Sequence, residues 1–160
     1  MKYMKRSEVR EHIFRMIFQV EFTDVEEQME QVDMYLDQLF KERLDVNGYV
    51  KPDEGEESAP EMTDIFVKVQ GEMEYMKNKA IDIFKSLEMI DGKISEISKE
   101  WKINRLGKAE LAILRLAVYE VLQDDDIPER VAINEAVELA KKYGSDQAPK
   151  FINGVLAQLV

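Results

Sequence analysis

The segment GKAELAILRLAVYEVL, Gly107 to Leu122, constrains the fold more than any other part of this chain. Its apolar residues are not confined to one stripe but run nearly all round a helical wheel. Such a helix is stable in water only when other elements surround it, so it belongs in the middle of a bundle. Arg115 interrupts the apolar run, and a charge there must be paired or must reach an edge. Glu120, Glu135 and Glu138 are the candidate partners, and a structural ion pair is preferred over a functional site.

The rest of the chain also reads as helix, with no convincing alternating strand. A first helix is predicted from about Arg6 to Phe22, with Val9, Ile13, Met16, Ile17 and Val20 forming a buried stripe. Thr23 or Asp24 caps a second helix through Arg43, with Val25, Met29, Val32, Leu36 and Leu39 inward. The stretch from Leu44 to Pro60 holds two glycines, two prolines and an acidic run without periodicity. It reads as a mobile surface loop rather than a domain boundary. A long helix is predicted from about Glu61 to Met89, broken by Asp91-Gly92, with a short helix reaching Trp101. Beyond the central helix, Pro128 suits the first turn of a helix to Tyr143, and Gly144 its C-terminal cap. Pro149 opens a last helix whose Ile152, Val155, Leu156 and Leu159 fall on one face. The expectation is an all-α fold: one compact domain over residues 1–160, of about seven helices.

With 160 residues the chain is long enough for one real core. It has no cysteine and one histidine, which excludes disulfides, thiolate zinc sites and a cysteine nucleophile. That composition fits a reducing cytoplasm. The N-terminus lacks the apolar run of a secretory signal, and no segment approaches the ~20 apolar residues that span a bilayer. His12 lies off the buried stripe and reads as a solvated or partly packed side chain. No phosphate-binding glycine loop or paired metal-ligand motif occurs. The reading is therefore not an enzyme, with no cofactor or metal.

The formal net charge is -11, but the acidity is local. Between Glu21 and Glu74 there are seventeen acidic and four basic residues, whereas the first fifteen residues carry Lys2, Lys5, Arg6, Arg10 and Arg15 against Glu8 and Glu11. An anionic partner is compatible with that distribution, because one face decides. Arg6 and Arg10 are i, i+4 neighbours suited to phosphate; a solvated helix start, with Arg10 salt-bridged within the helix, is the other reading. Phe151 sits at the margin of the last helix's apolar stripe, bracketed by Lys141, Lys142 and Lys150. It is either half-buried packing or a platform for an unstacked base.

Three blocks taken together carry a family pattern: W-x3-R-L-G-K-A-E-L-A-I-L-R-L-A-V-Y-E (Trp101 to Glu120), I-P-x3-A-I-N-E-A-V-E-L-A-K-x-Y-G (Ile127 to Gly144) and K-F-I-N-G-V-L (Lys150 to Leu156). They closely resemble the NusB family, and RSEVREHIFRMIFQVEF is similar to that family's N-terminal helix. The resemblance implies two small helical bundles sharing long helices. It implies an RNA-binding transcription antitermination factor that binds boxA of ribosomal RNA leader transcripts together with NusE, a small-subunit ribosomal protein, within the transcription elongation complex. Carried over, the RNA face falls on Lys2, Lys5, Arg6, Arg10, Lys142, Gln147, Lys150 and Phe151, and the NusE contact on Phe18 and Glu110. Ser7 and Glu8 stand where relatives often have further arginines, which implies weak RNA affinity without NusE. Two alternatives stand beside this reading. One is a helical adaptor that binds proteins only. The other is the related RNA-binding domain of ribosomal RNA methyltransferases, less favoured because no methyl-donor fold follows Val160. Monomer and homodimer are both left open.

Overall fold

A computed structural model of the chain describes residues 1–99 and 101–160. Seven α-helices make up the described residues, with no strand among them. They are α1 (Arg6–Val20), α2 (Gln28–Val46), α3 (Pro60–Lys85), α4 (Leu87–Ser98), α5 (Lys108–Gln123), α6 (Glu129–Tyr143) and α7 (Ala148–Leu156), with single 3₁₀ turns at Val25–Glu27, Ile103–Arg105 and Ala157–Leu159.

Helices α1, α2 and α3 pack on one another, and α4, α6 and α7 pack around α5. Helices α1 and α3 also reach α5, and so join the two groups. Ten consecutive residues of α5, Leu111 to Glu120, are buried, as its all-round apolar character predicts. Ile13, Phe14, Met16 and Ile17 of α1, Met76 and Ile83 of α3, Ile90 and Ile94 of α4, and Ile152 and Leu156 of α7 share one core with it. Each fully buried side chain of this size stabilises the fold by about 1.5–3 kcal/mol relative to exposure.

Three local expectations are corrected. Val25 and Met29 do not point inward: Val25 is 79% exposed and Met29 is also exposed. The chain makes a 3₁₀ turn at Val25–Glu27, whose tighter winding changes the phase, and burial begins at Val32. The long helix ends at Lys85 rather than Met89. Ser86 is the hinge, its N–H bonded to Asp82 and Ile83 carbonyls and its hydroxyl to Gln123 Oε1 at 3.2 Å. Asp91 and Gly92 lie inside α4, and a Cβ on Gly92 would meet nothing. The turn falls where α4 must reverse to cover α5. The connection between α2 and α3 is shorter than expected and is partly anchored. Tyr49 packs on Phe66 with ring centroids 5.7 Å apart, and the Val50 amide donates to Met62 Sδ at 3.2 Å.

Candidate nucleic-acid interface

The basic N-terminal segment is laid across the end of α2 and the middle of α3. The Lys2 amide donates to Asn47 Oδ1 at 2.7 Å, the Met4 amide to Glu72 Oε2 at 3.0 Å, and Arg43 donates to the Lys2 carbonyl. These bonds use backbone atoms and leave the side chains of Lys2, Lys5 and Arg6 in solvent. Arg10 does not join them. It is 6% exposed, and its Nε and Nη2 donate to Glu120 at 2.9 and 3.1 Å, with Glu135 3.6 Å from Nη1. The i, i+4 spacing placed Arg10 beside Arg6 on the wheel, but one turn further along α1 the helix is covered by α5. Its donors are spent on an interior carboxylate, which removes Arg10 from the candidate RNA face.

Arg115 is a structural ion pair, but with partners other than those expected. It donates to both carboxylate oxygens of Asp91, at 2.9 and 2.8 Å, and contacts Glu21. Glu120 lies five residues on, about 140° round the helix, and faces Arg10 and Lys79 instead.

Around the middle of α1, Glu11 gathers three groups. Lys142 Nζ lies 2.5 Å and Arg15 Nη2 3.0 Å from Glu11 Oε1, and the Tyr143 hydroxyl donates to the same oxygen. Burial pushes the Glu11 carboxyl up, but the bonds from Lys142 and Tyr143 and the Arg15 charge outweigh it and hold the group below its ordinary value. The same bond raises Lys142. Lys142 is thus exposed but already paired. It lines a shallow groove with Ser7, Glu11, Glu135 and Lys141.

After Tyr143 the chain turns through Gly144, which is extended (φ -92°, ψ 177°) rather than left-handed. Glycine is required there by space: a Cβ would lie 2.5 Å from Ala148 Cβ and 2.9 Å from the Ala140 carbonyl oxygen. The turn delivers Gln147, Lys150 and Phe151 to one open groove of roughly 610 Å³. Gln147 and Lys150 are exposed, and Phe151 is half-buried. Trp101 stands across from Phe151, edge to face, with ring centroids 6.2 Å apart and planes at 77°. Spacing on one helix had no means of revealing Trp101, which arrives from the α4–α5 connection. The available signals were its status as the chain's one tryptophan and its place at the head of the first family block.

Of the expected RNA residues, Gln147, Lys150 and Phe151 meet in this groove. Lys142 belongs to the groove beside α1, and Lys2, Lys5 and Arg6 line neither. The two expected partner residues are linked through α1 and the same turn. Phe18 is half-buried between Phe14 and Phe22, with centroids 5.9 and 5.2 Å away, and Phe22 is 67% exposed. Phe14 packs on Tyr143 at 4.7 Å, and Glu110 Oε1 accepts from the Ser145 amide at 3.2 Å just beyond. Among the described residues no helix is long and apolar enough to cross a membrane.

Comparison with known proteins gives the family. The profile of the NusB family matches residues 7–160. A Transcription antitermination protein NusB of Agathobacter rectalis is 41% identical over 155 residues, covering 97% of this chain and 98% of that protein. One from Lachnoclostridium phytofermentans is 40% identical over 157 residues, covering 98% and 99%. A solved structure of T. maritima NusB superposes with a TM-score of 0.74 at 30% identity, over 99% of this chain and 92% of that one. A pattern that spans all seven helices, with a matching fold and relatives covered almost end to end, makes this chain a member of the NusB family of transcription antitermination proteins.

Proposed function

We propose that this chain binds boxA-type single-stranded RNA of ribosomal leader transcripts as a heterodimer with NusE, inside the transcription elongation complex. The observation that carries the reading is the groove in which Gln147, Lys150 and Phe151 converge. It offers a hydrogen-bonding amide, a cation and an aromatic face, the set that recognises unstacked bases and their backbone. Lys2, Lys5 and Arg6 supply further cations, and Lys142 a weaker one because Glu11 already holds it. NusE docks on the side of Phe18 and Glu110, where the exposed ring of Phe22 extends the apolar surface.

The experiment is fluorescence anisotropy of a boxA RNA titrated with this chain, with and without NusE, over a range of salt. Binding that NusE strengthens and salt weakens is expected. Phe151→Leu keeps most of the apolar volume but has no π face. It is expected to weaken RNA binding by about 1–3 kcal/mol with near-normal melting. Heterodimer formation without any RNA binding would leave the protein-only adaptor as the correct function.

A further inference from the structure

Resting on the RNA-binding reading above, we infer that Trp101 and Phe151 form a two-walled site for a single unstacked nucleobase, with Trp101 as the stacking face and Gln147 as the reader of the base edge.

Trp101 is 51% exposed, which leaves half of a large aromatic surface in water. It is not loosely placed. The Ser98 hydroxyl, on a buried residue at the end of α4, donates to the Trp101 carbonyl at 2.8 Å, and the Trp101 amide donates back to the Ser98 carbonyl at 3.1 Å. These bonds fix the backbone that carries the indole, which lies against Phe151 of α7. The 77° angle to Phe151 matters. Two rings edge to face make an L, so a flat ligand stacked on the indole presents its edge to the Phe151 ring, or the reverse. Both contacts are favourable, and neither requires the pair to open.

The chemistry around the L fits a nucleotide better than an apolar side chain. Lys99, Lys150, Gln147 and Gln158 line the same groove, with Ile97, Gly154 and Val155 at its apolar floor. The lysines suit the phosphates that flank a base. A glutamine side chain presents both a donor pair and an acceptor, which matches the mixed edge of a base. Gly154 carries no side chain into the groove, and nothing lies within 4 Å of where its Cβ would be. Among the described residues the groove is lined by no carboxylate, in contrast to the one beside α1, where Glu11, Glu135 and Glu138 sit among the lysines.

Because Trp101 is the chain's one tryptophan, it reports on its own site. The chain is labelled with 5-fluorotryptophan, and its ¹⁹F resonance is followed while the heterodimer with unlabelled NusE is titrated with boxA RNA. The RNA is then replaced by a series with one abasic position each. A shift on adding RNA is expected, lost at one abasic position only. Trp101→Leu is expected to weaken RNA binding about 5- to 100-fold at an unchanged salt slope, Trp101→Phe to retain most of it, and Gln147→Ala to relax base preference at that same position. Wild-type affinity in Trp101→Leu, in a protein whose RNA binding still responds to Arg6→Ala, would overturn the base site and leave the RNA-binding function standing. A resonance that moves with NusE alone and not with RNA would make the groove a protein contact and overturn the proposal. Failure of the wild-type heterodimer to bind RNA at all would sink both. Should Trp101→Leu prove unfolded by circular dichroism, the ¹⁹F response of the labelled wild type to the abasic series and the RNA affinity of Trp101→Phe decide.

Discussion

Arg10 and Glu120, 110 residues apart in sequence, meet in the interior through three hydrogen bonds of 2.9 to 3.2 Å. Glu120 is 1% exposed and also holds Lys79 at 3.0 Å, whose ammonium continues to Asp124 at 3.1 Å. The network ties α1, α3 and the end of α5 together. Among the described residues no buried side-chain nitrogen or oxygen is left without a partner.

Glu120→Ala would leave two buried cations facing a void. It is expected to destabilise the fold by about 3–5 kcal/mol, read by urea unfolding. The pair replacement Arg10→Met with Glu120→Leu is expected to cost less than Glu120→Ala alone, because Arg10 and Glu120 leave together and only Lys79 stays buried, still paired with Asp124. A larger loss in the double variant would mean that the network's value is not electrostatic.

Arg6 differs from Arg10 by one helical turn and is exposed. Arg6→Ala is expected to leave the melting temperature nearly unchanged and to reduce the slope of log affinity against log salt by about 0.7 for single-stranded RNA. Unchanged slope and affinity would take Arg6 off the RNA face.

Glu110 is poised between a local and a partner role. Its carboxylate caps the turn at Ser145, so a charge reversal disturbs both. Glu110→Gln keeps an oxygen for the Ser145 amide and removes only the charge. Near-normal stability with weaker NusE binding, measured by calorimetry, is expected. Full heat of binding would place the docking contact elsewhere.

His12 gives the fold a pH response. Burial lowers its pKa below the ordinary 6.5, aided by the Arg15 charge, against smaller opposing effects of Glu11, Glu42 and Glu8. The ring is hydrogen-bonded to the Tyr35 hydroxyl, with 2.6 Å between Nδ1 and the oxygen. The unfolded chain binds a proton at higher pH than the folded one, so stability rises with pH here. Its contribution is fully present above 6.5 and is lost as pH falls below that toward the folded pKa. Melting temperatures across this window are expected to drop on acidification in the wild type and to drop less in His12→Gln.

The sequence by itself determined the class of fold and most of its parts. The all-round apolar α5, the periodic stripes of α1 and α7, and the proline and glycine punctuation around α6 are local signals, and local signals fix helices. The family blocks lie in that same region, where packing on α5 restricts each residue. What the sequence did not determine is which of two equivalent-looking residues is spent inside. Arg6 and Arg10 share a face on a wheel, yet only the covering by α5 turns one into a buried pair. Glu120, Glu135 and Glu138 were all plausible carboxylates for Arg115, but it pairs with Asp91 of α4 and with Glu21 just beyond the end of α1. Val25 lost its inward place to a 3₁₀ turn, and the hinge at Ser86 was set by the need of α4 to fold back over α5. Trp101 became the neighbour of Phe151 for the same reason: contacts between distant segments depend on how helices cross, and a one-dimensional period carries no record of crossing.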